Sequence, residues 1–168
     1  YSKGMEKTLA VLGNRFLSDA IEKIPNLVNI LGYNNLDYCG DDDLFCLRKI
    51  LESNGFKINC ITGRSGIEVF AQIPRAEFNI VTSASALGFA KKLKKLYDTP
   101  FTTQLPIGTT EIKETFSSSE KQSDSEQCVK NGKKFLIIGD QIIAGSLRSY
   151  LEEEYCCRGY VFTFFEFD

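Results

Sequence analysis

Residues 28–61, VNILGYNNLDYCGDDDLFCLRKILESNGFKINCI, constrain this chain more than any other stretch. Val28, Asn29, Ile30 and Leu31 form a short, mainly apolar run closed by Gly32 and an Asn-rich turn, the pattern of a buried strand. Asp41, Asp42 and Asp43 offer an N-cap and a negative first turn to a helix. Leu44, Leu47 and Leu51 recur at helical spacing, Ile50 widens the stripe, and Arg48, Lys49 and Glu52 face water. Asn54-Gly55 stops that helix, with Gly55 as the left-handed residue. Residues 56–61 then make a second strand. A strand, a helix of about four turns and a second strand form one βαβ unit, which implies a parallel sheet with a right-handed crossover.

The alternation extends in both directions. Met5, Leu9, Leu12 and Phe16, followed by Ala20 and Ile24, mark an amphipathic helix over residues 1–25, which Gly13 weakens. Ser65 and Glu68 fit a capping box for a short helix that ends before Pro74. Residues 78–82 are a third strand. Ala86, Ala90, Leu93 and Tyr97 line the next helix, and Lys91, Lys92, Lys94 and Lys95 fall opposite them as a solvated face, an anion site being the sharper alternative. Residues 101–105 are a fourth extended segment. Few hairpin signals interrupt the series, so residues 26–116 are expected to form an α/β domain. Its fold class is a three-layer α/β/α sandwich with a parallel four-stranded sheet, Rossmann-like and chelatase-like.

Residues 117–131, SSSEKQSDSEQCVKN, break that composition and read as a serine-rich linker. Residues 132–168 open an additional βαβ unit. Its first strand ends at Gly139, and its helix places Ile143, Leu147, Tyr150 and Leu151 inside. Glu152, Glu153 and Glu154 oppose the helix dipole and should fray its end. Both strands of this unit lack polar alternation, which predicts cover on both faces and self-association through residues 133–168.

The absence of histidine from all 168 residues removes Ser-His-Asp and Cys-His catalysis and most catalytic zinc sites. A net charge of −2 supplies no basic face for nucleic acid. No apolar stretch reaches the ~20 residues of a membrane helix. No signal peptide is visible, which makes the cytoplasm the expected compartment. The chain starts without Met just before a helix, as an excised piece of something longer would. The six cysteines include no CxxC, and reduced thiols are expected, with Cys46 and Cys60 as small hydrophobes. Neither Gly32 nor Gly139 belongs to a GxGxxG, and no GxxxxGK[ST] occurs. The Asp41–43 cluster could hold Mg²⁺, although consecutive residues diverge at a helix start and a cap is the plainer reading. Ligands of open parallel sheets bind outside the carboxyl ends of the strands. Here that rim comprises Gly32, Tyr33, Thr62, Gly63, Ser83 and Gly108, together with Gly139 and Asp140. They are candidate binding residues through backbone and hydroxyl groups, and none is an evident catalyst.

The order of motifs carries a resemblance. It runs from Asn29-Ile30-Leu31-Gly32, through the Leu-rich helix ending Asn54-Gly55, to the strand entry Pro74-Arg75-Ala76-Glu77-Phe78-Asn79-Ile80-Val81. Next come Ala90, Leu93, Tyr97 and Thr99-Pro100-Phe101, then Leu105-Pro106-Ile107-Gly108-Thr109-Thr110, then Gly132-Lys133-Lys134-Phe135 with Gly139-Asp140. Together, over about residues 28–157, they resemble the nitrogenase component 1-type oxidoreductases: molybdenum–iron protein subunits, cofactor-assembly scaffold proteins and tetrapyrrole reductases. The resemblance implies a middle α/β domain and the start of the next. It also implies a parent that carries out multi-electron reduction, nitrogen fixation among its branches, with an iron–sulfur cluster or iron-based metal cofactor. The parent's partners would be a second component 1-type subunit and an ATP-dependent iron-protein reductase. The family's cluster cysteines would precede this segment and its histidine ligand would follow it, so the fragment itself is expected to hold no cofactor and to be non-catalytic. Cys128, the one cysteine between the PIG-type helix and the next strand, stands where the family's catalytic subunit carries a metal-anchoring cysteine, with an exposed linker thiol as the alternative. Two other functions stay open: a non-catalytic scaffold for cofactor or cluster assembly, and a small-ligand-binding α/β module.

Overall fold

The computed structural model describes residues 2–19, 22–33, 41–62, 65–108 and 132–163. The chain divides into two compact units, Tyr1–Thr102 and Thr103–Asp168. In the first unit the elements are α1 (Ser2–Phe16), β1 (Leu27–Leu31), α2 (Asp41–Ser53), β2 (Lys57–Cys60), α3 (Glu68–Gln72), β3 (Phe78–Val81), α4 (Leu87–Tyr97) and β4 (Phe101–Thr102). Single 3₁₀ turns, Ile73–Arg75 and Ala84–Ala86, follow α3 and precede α4.

The four strands form a wholly parallel sheet in the order β2-β1-β3-β4. The expected fold class, α/β with a parallel four-stranded sheet, is the one observed. Strand β1 (LVNIL) is buried at every position, as a central strand covered on both faces must be. Ile30, Leu31, Leu51, Ile73, Ile80, Val81 and Leu93 are at most 1% exposed, and each such side chain contributes about 1.5–3 kcal/mol. The fourth strand is shorter than the expected 101–105. Past Thr102 the backbone turns to α5 (Gln141–Tyr155): Ser146 Oγ accepts from the Leu105 N–H at 2.9 Å and donates to the Thr103 carbonyl at 3.4 Å.

Two helix expectations are corrected. The leading helix ends at Phe16 rather than near residue 25, because Ser18 leaves the helical path to donate its hydroxyl to the Ala71 carbonyl at 3.0 Å. Its Gly13 is where α1 meets α4, since a Cβ there would run into the Phe89 ring. Ser65 does not cap α3. Its hydroxyl accepts from the Thr62 N–H at 2.9 Å and donates to the Cys60 carbonyl at 3.0 Å, closing the turn after β2, while Ile67 holds the cap position without a side-chain bond. Helix α2 begins at Asp41, which puts the aspartates in its first turn, as expected. Gly55 takes φ +85°, as expected, and Phe56 N–H returns to the Leu51 carbonyl at 3.1 Å.

In the second unit, β5 (Lys134–Ile138) and β6 (Arg158–Phe162) pair in parallel across α5, the expected additional βαβ unit. Asp140 caps α5, its carboxylate accepting from the Ile142 and Ile143 N–H groups at 2.9 and 3.2 Å. The most buried positions of α5 are Ile142, Ala144 and Ser146, one step off the predicted stripe, and Ile143, Leu147, Tyr150 and Leu151 are half-buried. The helix does not fray at Glu152, which accepts from the Gly159 N–H at 2.8 Å and lies 3.9 Å from Arg148. Burial alternates strictly along β5 and β6, because among the described residues α5 covers one face of the pair. The boundary expected at 116/117, the serine-rich linker and Cys128 lie outside the described residues.

Candidate functional site

The carboxyl rim of the first sheet is assembled by strand ends. Strand β1 runs into Gly32, held at φ +90°, and Tyr33, which is buried. Strand β3 ends beside it, and Thr82 sends both its N–H and its hydroxyl to the Leu31 carbonyl, at 2.9 and 3.1 Å. Ser83 then opens the 3₁₀ turn. Its Oγ accepts from the Ser85 N–H at 3.3 Å and lies 3.0 Å from the Ser85 hydroxyl. A Cβ on residue 32 would approach Ala86 Cβ to 2.8 Å and Ser83 N to 3.1 Å, so only glycine lets the β1 end lie this close to the start of α4. Thr62, two residues past β2, is 2.9 Å from Ser65 hydroxyl to hydroxyl.

The structure therefore brings Gly32, Tyr33 and Ser83 together and sets Thr62 on the same rim, past the neighbouring strand. Gly108 belongs to the second unit, against the Tyr150 ring, and Gly63 lies outside the described residues. The hydroxyls of Thr62, Ser65, Thr82, Ser83 and Ser85 all bond within the protein. Such a rim holds its own shape well. Among the described residues it aligns no nucleophile with a base.

The described thiols lie in different settings. Cys46 is exposed on α2, which corrects its reading as a buried hydrophobe. Cys60 is partly buried in β2, and burial pushes its thiol up to about 11, Arg48 opposing weakly, so that it stays protonated near neutral pH. The Cys157 thiol donates to the Tyr155 carbonyl at 3.3 Å, and Cys156 is disulfide-bonded, unlike the reduced thiols expected. Among the described residues no three His, Cys, Asp or Glu side chains gather as metal ligands.

Two polar arrangements escaped sequence reasoning. Asn59, Asn29 and Asn79 stand side by side on β2, β1 and β3, in register. Asn59 Nδ2 donates to Asn29 Oδ1 at 2.8 Å, and Asn29 Nδ2 donates to Asn79 Oδ1 at 2.7 Å. The row also holds the α3 region: Asn29 reaches the Ile73 carbonyl at 2.9 Å and Asn59 the Val69 carbonyl at 3.3 Å. Asn29 and Asn79 are fully buried, and the outer amide nitrogen of Asn79 has no protein partner. An asparagine recurring inside three apolar strands was the available signal. Lys23, at the amino ends of β3 and β4, donates to the Ala76 carbonyl at 2.8 Å and to the Thr99 hydroxyl. Desolvation lowers its pKa, and the charges of Asp98 and Glu77 hold it up.

With this geometry in hand, comparison with known proteins defines the class. Residues 1–134 match the family model for nitrogenase component 1 type oxidoreductases, and the chain belongs to that family. Two curated relatives are each named as the B-type subunit of light-independent protochlorophyllide reductase. The one from Methylobacterium radiotolerans is 33% identical over 84 residues, 49% of this chain and 16% of the relative. The one from Marchantia polymorpha is 29% identical over 109 residues, 64% of this chain and 21% of the relative. The chain thus spans about a sixth to a fifth of the length of those relatives. A solved structure described as "Nitrogenase Cp1 at pH 6.5" aligns with 96% of this chain and 43% of its own, at a TM-score of 0.61 and 17% identity, a likeness of fold.

Proposed function

We propose that this chain is the α/β scaffold portion of a component 1-type reductase subunit of the protochlorophyllide-reducing branch, acting in ATP-dependent multi-electron reduction of a tetrapyrrole. The observation that supports this branch is that two curated relatives share one name, within a family whose model matches residues 1–134. The scaffold role draws on the site itself. Rim hydroxyls engaged within the protein and a protonated, half-buried Cys60 suit a rigid support better than a reacting centre. On this reading, redox centres are held by residues other than those described above. The partners are a second component 1-type subunit and an ATP-dependent iron-protein reductase.

A segment exchange tests it. The matched stretch of the Methylobacterium radiotolerans relative is replaced by the corresponding residues of this chain, and ATP-dependent loss of protochlorophyllide absorbance is followed without oxygen. Turnover is expected to survive. A chimera that assembles with its iron content intact yet reduces no pigment would falsify the assignment to this branch.

A further inference from the structure

Helices α1 and α4 lie side by side in the first unit and share one basic face. The Phe89 ring fills the space beside Gly13, Lys92 Nζ donates to Asn14 Oδ1, and the Tyr97 hydroxyl donates to the Ser18 carbonyl at 3.3 Å. Contacts thus climb in the same direction along both helices. Lys91, Lys92, Lys94 and Lys95 occupy α4, whose 11 residues include no acid. On α1, Lys7 and Arg15 stand one turn either side of Val11, and all three are exposed. Arg48 and Arg148 each face a glutamate one turn on, whereas among the described residues no carboxylate comes within ion-pair distance of these six cations. Glu6, against Gly88, and Asp19, whose charge is felt at Tyr97, mark the two ends of the face.

The helix itself does not account for this charge. Lys94 and Lys95, in the last turn, favour the dipole of α4, but Lys91 and Lys92 lie outside that turn. Lys91 repels Lys94 and Lys95, and Lys92 repels Lys95, at the spacings where side chains on a helix are neighbours. A chain of net charge −2 has gathered uncompensated cations on one surface.

We propose that this face docks an acidic surface of another protein, whose carboxylates meet the lysines and whose apolar side chains seat on Val11 and Leu96. The layout selects the occupant. The cations are spread over two helices and do not converge, so they suit an extended partner better than a small anion. Val11, 64% exposed, lies one turn before Asn14, and Leu96, 55% exposed, lies one turn after Lys92, so two aliphatic side chains flank the bond joining the helices. Aliphatic contacts ringed by charge are the makings of a protein interface. Single-stranded nucleic acid would call for aromatic platforms, and the Arg15 guanidinium already lies 5.6 Å from its own neighbour's ring, Phe16. A membrane surface would call for a broad apolar stripe beneath the lysines, where α4 instead buries Phe89, Ala90 and Leu93 in the protein core. The inference is independent of the branch assignment.

Fluorescence anisotropy on the full chain reads the contact, with a stapled helical peptide bearing glutamates around two leucines as the probe. Binding is expected at about 100 µM or tighter in low salt and should weaken as salt is raised. Lys91→Glu with Lys95→Glu, checked for an unchanged far-UV circular dichroism spectrum, should weaken it about tenfold or more. The matched pair Lys49→Glu and Lys57→Glu, on α2 and β2, should change it by about twofold at most. Leu96→Ser should weaken the peptide about threefold or more, and should not affect a version with serine in place of leucine. Absence of binding up to about 1 mM, or equal losses from the two charge-reversed pairs, overturns the proposal. A short DNA duplex or phosphatidylserine vesicles bound more tightly than the peptide through the same lysines would overturn the protein occupant. A Leu96→Ser chain that binds both peptides unchanged would overturn the apolar contact.

Discussion

Single residues here act through closeness and desolvation. Gly32 combines a left-handed backbone with a Cβ position already occupied by Ala86 and Ser83. Gly32→Ala should therefore lose about 2–4 kcal/mol, a φ penalty plus overpacking, measured by urea unfolding. Cys60 and Cys46 should separate by reactivity. At pH 8 a maleimide or iodoacetamide should label exposed Cys46 readily and Cys60 slowly, with Cys60 accelerating as pH rises toward 11. Equal rates at the two thiols would contradict the burial that raises Cys60. The sign of the linkage follows. The folded state holds the Cys60 proton more tightly than the unfolded chain, so its contribution to stability is complete below the usual thiol value of 9.0 and is lost as pH climbs toward about 11. Cys60's place in a strand was legible in its sequence neighbours, and so was the closing role of Gly32. The exposure of Cys46 was not, because a position one step off the helical stripe looks the same in sequence whether or not a neighbour covers it.

At the scale of elements, polar side chains decide details that apolar periodicity leaves open. The apolar runs at 28–31, 56–61 and 78–82 announced strands, and the Asn54-Gly55 stop was readable from Gly55 alone. The asparagine row was not readable, because it exists only once β2, β1 and β3 are in register. Asn29 is its centre. Asn29→Leu would leave Asn79 Oδ1 buried without its donor, take the Asn59 amide's acceptor and remove one of the two donors to the Ile73 carbonyl, and should cost about 2–4 kcal/mol, more than one lost hydrogen bond. Asn79→Leu should be milder, since it also removes a buried amide nitrogen that lacks a partner and leaves Asn29 its bond to Ile73. Urea midpoints for the two variants check the order, and a larger loss for Asn79→Leu would contradict it. The Asp140 cap is simpler. Asp140→Ala frees the Ile142 and Ile143 N–H groups and should destabilise the second unit by about 1 kcal/mol, seen as a lowered thermal midpoint of α5. Ser65 shows why caps mislead from sequence. Its hydroxyl had two local uses, and the turn after β2 claimed it before α3 could.

For the whole molecule, the alternating pattern gave the parallel sheet, and the family resemblance agrees with the match over residues 1–134. What sequence could not supply was how completely each sheet is covered, since an apolar strand reads alike with one helix layer or two. That difference governs how the molecule opens. Strands β1 and β3 are buried at every position, pair with neighbours on both sides, and carry the fully enclosed Ile30, Leu31, Ile80 and Val81. Among the described residues, strands β5 and β6 have one neighbour each, and alternate residues lie open. Local stability follows buried apolar contact, so the two units should open at different free energies. In native-state hydrogen exchange on the full chain at low micromolar concentration, the amides of β1 and β3 are expected to exchange slowest and to follow global unfolding. Those of β5 and β6 should exchange faster, through an opening that leaves the first sheet intact. Equal protection in the two sheets would show that the second unit opens only with the first, and would count against treating them as separate cooperative units.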